Sequence, residues 1–324
     1  MSIVEKSLSK FRDKHPEPAT VAKSAETAVD GTGQPAPHQV QFAERRRLPR
    51  RDPGQTRFFD TLGPRIISFE PTRLRELGLY APVEFEAGIE DQFRRIKRPL
   101  LDAAIGRDAA ATPRGRLILV TSSLANEGKT FCSVNLALTI ARERDLSVVL
   151  IDGDVHKAHI SECFGLENER GLVDVVTNPA LTPKDVCLRT SVPQLYLLPA
   201  GQMTSDLPEQ WASERMESIV EELALLDRQS IVIMDTSPIL LTNETQVLSR
   251  LAGQVIFVVR ADETPRSVIM EALALVDSAP RVSCLLNQSA EAAGDYYRYG
   301  RYPYGGTRPV VSQTSADNRA VNRK

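Results

Sequence analysis

The sequence predicts an α/β domain in which a mostly parallel sheet is flanked by helices on both faces. Two observations predict it. From residue 116 onward, short apolar, β-branched runs alternate with helix-length segments. The residues suited to chemistry then fall at the carboxyl ends of those runs, where open α/β sheets bind ligands. The predicted strands are 117–121, 147–152, 195–199, 231–235, 255–259 and 282–287, with helices over 129–142, 213–226 and 264–276.

The chain has 324 residues, enough for one large domain or two small ones with flexible ends. Its 42% hydrophobic and 25% charged residues are ordinary for a globular protein. A formal net charge of -2 gives no global reason to expect nucleic acid as a partner. The four cysteines, Cys132, Cys163, Cys187 and Cys284, have no metal-ligand or redox spacing. Cys132 and Cys284 lie among apolar residues and read as small buried hydrophobes, and a reducing cytosol fits all four. The first residues lack the apolar stretch of a signal peptide, and no run approaches the roughly 20 apolar residues of a membrane span. A cytoplasmic protein is expected, brought to any membrane by something else.

Three regions follow in order. Residues 1–64 open with a short amphipathic helix carrying Val4, Leu8 and Phe11 on one side. A Pro- and Arg-containing linker follows, expected to be flexible. Its run Arg45-Arg46-Arg47-Leu48-Pro49-Arg50-Arg51 reads either as solvated linker charge or as a contact for anionic lipid or a partner. Residues 65–290 form the folded domain. It begins with a short strand at Ile66, Ile67 and Phe69, then a helix over 89–98 with Ile89, Phe93 and Ile96 on one face, which Pro99 is expected to end or kink. Residues 291–324 lose the pattern and form a tail.

Strand 117–121 runs into Ser122-Ser123-Leu124-Ala125-Asn126-Glu127-Gly128-Lys129-Thr130 and then into a helix. A strand, tight loop and helix N-terminus present backbone N–H groups to an anion. In a phosphate-binding P-loop, Lys129 reaches the β- and γ-phosphates and the Thr130 hydroxyl ligates Mg²⁺. The motif is a deviant Walker A, because Ser123 stands where GxxxxGK[ST] has its first glycine. Two further strands end in acid, one at Asp152-Gly153-Asp154 and one at Asp235-Thr236-Ser237-Pro238. A phosphate-bound Mg²⁺ keeps several waters and takes one or two carboxylates. Asp235 suits a water-mediated metal role, and Asp152 suits orienting or deprotonating an attacking hydroxyl. Taken singly, each is also an ordinary acidic strand cap.

Together the loop and the two acidic strand ends resemble the bacterial protein-tyrosine kinases of capsular and exopolysaccharide systems. That family's loop reads SSxPGEGK[ST], matched at Ser122, Ser123, Glu127, Gly128, Lys129 and Thr130. Its apolar-Asp-x-Asp is matched at Asp152 and Asp154, and its apolar-Asp-x-x-Pro at Asp235 and Pro238. Gln92-Phe93-Arg94-Arg95-Ile96-Lys97-Arg98-Pro99-Leu100-Leu101, with Phe131 after the loop and the opening Met1-Ser2-Ile3-Val4-Glu5-Lys6, resembles the exosortase-associated (PEP-CTERM system) tyrosine autokinases.

The resemblance implies an ATP-dependent protein-tyrosine autokinase with ATP and Mg²⁺ as cofactors. Nucleotide contacts fall on Ser123, Asn126, Glu127, Gly128, Lys129, Thr130 and Phe131. Lys129, Asp152 and Asp154 carry catalysis, and Thr130, Asp152 and Asp235 serve the metal. Asn287, after the last strand, reads the adenine edge or simply forms a turn. Asp91, Arg94 and Lys97 match a softened Glu-x-x-Arg-x-x-Arg subunit-contact helix, or else an ordinary charged helix face.

The resemblance further implies a ring-type homo-oligomer, a membrane polysaccharide co-polymerase or chain-length regulator as partner, and a phosphotyrosine phosphatase. The chain departs from the family at Ala125 and Asn126, which replace Pro-Gly, and at His156, which replaces Arg. Asn tolerates left-handed backbone better than most residues, so the loop is expected to keep its shape.

Five of the chain's seven tyrosines, Tyr296, Tyr297, Tyr299, Tyr302 and Tyr304, fall within nine residues among glycines and arginines. Exposed tyrosines on a flexible tail are what a kinase acting on a neighbouring copy needs, and each phosphate would add about -1.5 to -2 charge. An aromatic low-complexity tail is the plainer alternative. So is a partition- or division-site-type P-loop ATPase organising a membrane or DNA partner, or a catalytically weak ATP-binding scaffold. The first usually carries an extra lysine early in the loop, where this chain has Ser122 and Ser123.

Overall fold

The computed structural model describes residues 59, 62–106, 112, 114–203, 211, 213–226, 229–276 and 278–289. The short N-terminal helix, the Arg45–Arg51 run and the five tail tyrosines lie outside the described residues.

One eight-stranded sheet organises these residues. In chain order its strands are β1 (Ile66–Ile67), β2 (Leu117–Ser122), β3 (Ser147–Gly153), β4 (Leu188–Thr190), β5 (Leu195–Leu198), β6 (Ser230–Thr236), β7 (Gln254–Arg260) and β8 (Val282–Asn287). Their spatial order is β1-β4-β5-β3-β6-β2-β7-β8. Every neighbouring pair is parallel except β4 and β5. The helices are α1 (Pro71–Glu76), α2 (Glu86–Ile105), α3 (Lys129–Ala141), α4 (His159–Cys163), α5 (Leu172–Thr177), α6 (Pro183–Val186), α7 (Glu214–Leu225), α8 (Asn243–Leu251) and α9 (Arg266–Leu275).

The central strands read as unbroken apolar runs because both faces are covered. Along β2, Leu117 and Leu119 enter the core shared with α5, α7, α8 and α9. Ile118 and Val120 enter the core shared with α2, α3 and α4. This period-two division is the strand's geometry expressed as packing. Ser213 caps α7, its hydroxyl accepting from the Met216 N–H, which starts that helix where the sequence placed a polar residue before an apolar stripe.

Two expectations are corrected. Helix α2 does not stop at Pro99 but continues to Ile105. Pro99 is exposed, so the bond its ring removes lies toward solvent. Beyond it Leu100, Ala103 and Ala104 are buried, and the Gln254 amide donates to the Leu100 carbonyl at 3.0 Å. Packing of the second half outweighs the lost ladder bond. Cys284 is exposed rather than buried, because β8 is the last strand of the sheet and has no neighbour on its far side among the described residues.

The packed domain also reaches back before residue 65. Phe59 is buried and stacks on Tyr196, with ring centroids 3.9 Å apart. No helix among the described residues is long and apolar enough to cross a membrane.

Candidate active site

The connection β2–α3–β3 places β3 two positions from β2, with β6 between them. The carboxyl ends of β2, β3 and β6 therefore meet. In register, Val120 pairs with Asp235 and Asp152 pairs with Asp235. Side-chain bonds fix these ends to one another: Thr121 Oγ1 donates to the Ser237 carbonyl at 3.0 Å and Thr236 Oγ1 to the Val120 carbonyl at 2.9 Å.

The loop between β2 and α3 has the backbone its sequence allows. Asn126 sits at φ 64° and Gly128 at φ 89°, both left-handed. Asn126 is among the few side-chain-bearing residues that accept this region readily. At Gly128 an added Cβ would lie 2.0 Å from Asn287 Nδ2. That same nitrogen donates to the Glu127 carbonyl at 2.9 Å. Asn287, at the end of β8, thus closes the back of the loop.

Glu127 is also turned inward. Its carboxylate is 2% exposed and accepts from the Leu124 N–H at 2.6 Å and from Thr264 Oγ1 at 2.5 Å. It braces the loop against the β7–α9 connection. Phe131 packs on Phe93 of α2, with ring centroids 6.3 Å apart.

Asp235 is fully buried and held from α3, since Thr130 Oγ1 donates to its Oδ2 at 2.7 Å and Ser133 Oγ to its Oδ1 at 2.9 Å. Burial pushes its carboxyl up to about 6, against the pull of the Thr130 bond and of Lys129. Lys129, itself buried, has its ammonium pushed below its ordinary value by desolvation, opposed by Asp235, Asp154 and Glu127. Asp154 accepts from Ser237 Oγ. Asp152 Oδ2 accepts from both the N–H and the hydroxyl of Ser161, each at 2.7 Å. Burial raises the Asp152 carboxyl to about 7 in spite of those two bonds.

Two buried polar atoms here have no partner: Asp152 Oδ1 and Ser123 Oγ. An unpaired buried polar group costs about 1–3 kcal/mol, so its retention calls for an outside partner. A phosphate chain with its hydrated cation has donors and acceptors for both atoms. The residues present therefore fit ATP and Mg²⁺.

The structure brings together Ser123, Asn126, Gly128, Lys129, Thr130, Asp152, Asp154, Asp235 and Asn287 at one end of the sheet. On α2 it keeps Asp91 and Arg94 together and turns Lys97 away from them. Arg94 is exposed and the Asp91 side chain half-exposed; Asp91 pairs with Arg95 at 2.7 Å and with Arg94 at 4.0 Å. Lys97 is instead 14% exposed, donates to the Thr139 carbonyl at 3.0 Å and pairs with Glu143 at 2.6 Å, which docks α2 on α3. His156, in the position of the expected Arg, lies 3.4 Å from Glu244. Sequence reasoning missed Ser133 and Thr264, whose partners lie far along the chain, and Ser161, which lies on a five-residue helix without visible periodicity. A separate open groove of about 530 Å³, lined by Ile66, Arg73, Cys163 and Phe164 among others, contains none of the expected site residues.

No family model matches the chain. It is 27% identical over 226 residues to the putative tyrosine-protein kinase CapB of Staphylococcus aureus, covering 68% of this chain and 95% of that one. It is 26% identical over 213 residues to the tyrosine-protein kinase YwqD of Bacillus subtilis, covering 65% and 86%. A 30% match over 193 residues to the putative tyrosine-protein kinase EpsB of Ralstonia solanacearum covers 58% of this chain and 25% of that protein, so the chain spans about a quarter of that relative. Among solved structures, the kinase domain of the Escherichia coli tyrosine kinase ETK aligns with a TM-score of 0.52 at 21% identity, covering 67% and 80%. The VpsO kinase domain aligns with a TM-score of 0.52 at 24% identity, covering 64% and 100%. These two show a shared fold.

Proposed function

We infer that this chain, a homologue of the bacterial tyrosine-protein kinases, is an ATP-dependent protein-tyrosine kinase that modifies the tail of a neighbouring copy. The observation that carries the reading is the pair of unpartnered buried atoms, Asp152 Oδ1 and Ser123 Oγ, beside the loop that presents Lys129. When bound, ATP supplies the γ-phosphoryl group and Mg²⁺ neutralises its charge. The chain's residues do the rest. Backbone N–H groups of the loop 123–130 and the start of α3 cradle the phosphates. Lys129 sets positive charge against oxygens that gain negative charge during transfer. Thr130, Asp235 and Asp152, with Asp154, are the residues that would hold the hydrated metal. Asp152 Oδ1 orients the tyrosine hydroxyl and takes its proton. A carboxyl pushed up to about 7 is suited to that exchange near neutral pH.

The acceptor is among Tyr296, Tyr297, Tyr299, Tyr302 and Tyr304, five hydroxyls in nine residues. Asp91 and Arg94 belong to the contact between copies, and Lys97 supports that contact from within. In this reading the copies assemble as a ring, and a membrane polysaccharide co-polymerase brings them to the inner face of the membrane. Tail phosphorylation, reversed by a phosphotyrosine phosphatase, then regulates capsule or exopolysaccharide export. The assignment to the exosortase-associated subgroup rests on residues 92–101, Phe131 and the opening six residues.

The test is to incubate the purified chain with Mg-ATP and probe for phosphotyrosine, beside Lys129→Ala and a chain with all five tail tyrosines changed to Phe. The wild type should label strongly and both variants should stay blank. A blank wild-type lane sinks the kinase reading.

A further inference from the structure

We propose that Ser161 is a positioning residue for phosphoryl transfer, fixing Asp152 so that one oxygen is held and the other is offered to the site. This rests on the kinase reading above.

The geometry is asymmetric. Asp152 Oδ2 accepts two bonds of 2.7 Å, both from Ser161, one from its backbone N–H and one from its hydroxyl. Asp152 Oδ1 accepts none and is buried. A carboxylate free to rotate about its last torsion would exchange the two oxygens, since that torsion is broad and roughly two-fold. Two donors converging on one oxygen remove that freedom.

Ser161 is itself immobilised. It is 1% exposed, on α4, and its Oγ accepts from the Ala200 N–H at 3.0 Å. A hydroxyl that accepts from one fixed group has its own hydrogen directed to the other, here Asp152. Ala200 is in turn locked. Its carbonyl accepts from the Val173 N–H at 2.9 Å, and the preceding Pro199 carbonyl from the Leu172 N–H at 2.8 Å. Gly171 packs so closely here that an added Cβ would lie 2.2 Å from the Pro199 carbonyl oxygen. The chain Val173–Ala200–Ser161–Asp152 therefore runs from the core under α5 to the reacting end of β3. None of Ser161, Ala200 and Val173 has a role in the loop or the metal site. A carboxylate needed only to cap a strand gains nothing from having one oxygen doubly held and the other left bare. One offered to an incoming group requires it.

The experiment is a double-mutant cycle on the full chain with Ser161→Ala, Asp152→Asn and the double variant. It reads initial phosphotyrosine formation at saturating Mg-ATP, affinity for mant-ADP with and without Mg²⁺, and the melting midpoint. Ser161→Ala should keep Mg²⁺-free mant-ADP affinity within about twofold of wild type and lower the phosphorylation rate by about tenfold or more. The double variant should be no slower than Asp152→Asn alone, because Ser161 acts only through Asp152. Ser161→Thr, which keeps the hydroxyl, should recover most of the rate. If Ser161→Ala melts below the working temperature, Ser161→Cys replaces it, keeping the volume while losing the strong donor. A Ser161→Ala rate equal to wild type, or a double variant slower than Asp152→Asn by the full single-variant factor, overturns the proposal.

An inactive wild type would instead sink the kinase reading. The cycle is then read on the Mg²⁺-dependent gain in mant-ADP affinity. A loss shared by both single variants and not deepened in the double supports the positioning role, and any other pattern refutes it.

Discussion

Asn287 Nδ2 stands where a side chain on Gly128 would begin: it donates to the neighbouring Glu127 carbonyl at 2.9 Å and would lie 2.0 Å from a Cβ at residue 128. The end of β8 and the phosphate loop are built against each other. Gly128 also has φ 89°, a backbone that L-residues rarely adopt. Gly128→Ala should weaken mant-ADP binding by more than about tenfold through both effects. Adding Asn287→Ala should recover only the steric part, so the double variant should bind better than Gly128→Ala and worse than wild type. Titration of mant-ADP fluorescence checks the order.

Thr264 tests the brace behind the loop. Its hydroxyl bonds the buried Glu127 carboxylate from the β7–α9 connection. Thr264→Val keeps the shape and removes the donor to a charged group, which should cost about 1.5–3 kcal/mol in urea unfolding. Nucleotide affinity should fall modestly although residue 264 touches no phosphate in this account.

The two buried carboxyls give the domain a pH dependence of defined sign. Asp152 and Asp235 hold their protons up to about 7 and about 6, well above the ordinary aspartate value of about 3.9 expected in the unfolded chain. A raised folded pKa contributes stability that is full below the unfolded value and lost as pH rises through the folded one. The nucleotide-free chain should therefore melt lower as pH climbs from about 4 to about 8, by an amount on the order of a few kcal/mol. Asp152→Asn should flatten the upper part of that slope. A melting midpoint flat across this range in wild type contradicts the assignment.

On α2 the charged residues divide into two kinds. Lys97 is turned into its own chain, pairing with Glu143 and the Thr139 carbonyl, so Lys97→Ala should lower stability by about 1 kcal/mol. Asp91→Ala and Arg94→Ala remove exposed charge and should leave the melting midpoint nearly unchanged, while reducing the assembly mass seen by light scattering. Equal effects of the three variants on stability would show that the helix face works as one unit.

Much of this was legible in the sequence, for a physical reason. Strands β2, β3, β6 and β7 are buried on both faces, so each is an unbroken apolar run that stops where a polar, chemically useful residue begins. The loop was legible because Gly128 and Asn126 are residue types its left-handed backbone demands. What was not legible is pairing at a distance. Ser133 and Asp235, or Thr264 and Glu127, lie more than about 100 residues apart in sequence, and no local pattern links a serine to an aspartate so far away. Strand β4 is three residues long, too short to show a period. Pro99 shows the reverse error. A strong local rule predicted a helix end or kink, and burial of Leu100, Ala103 and Ala104 carries the helix past Pro99.

The central claim is that phosphate passes from ATP on one copy to a tail tyrosine on another, and a single mixing reaction tests it. Lys129→Ala with an intact tail is combined with a chain that keeps Lys129 but has all five tail tyrosines changed to Phe. Phosphopeptides are then mapped by mass spectrometry after incubation with Mg-ATP. The account predicts phosphotyrosine within residues 296–304 of the Lys129→Ala copy, which can accept but not donate. Absence of label in the mixture, with strong label in wild type alone, would contradict transfer between copies.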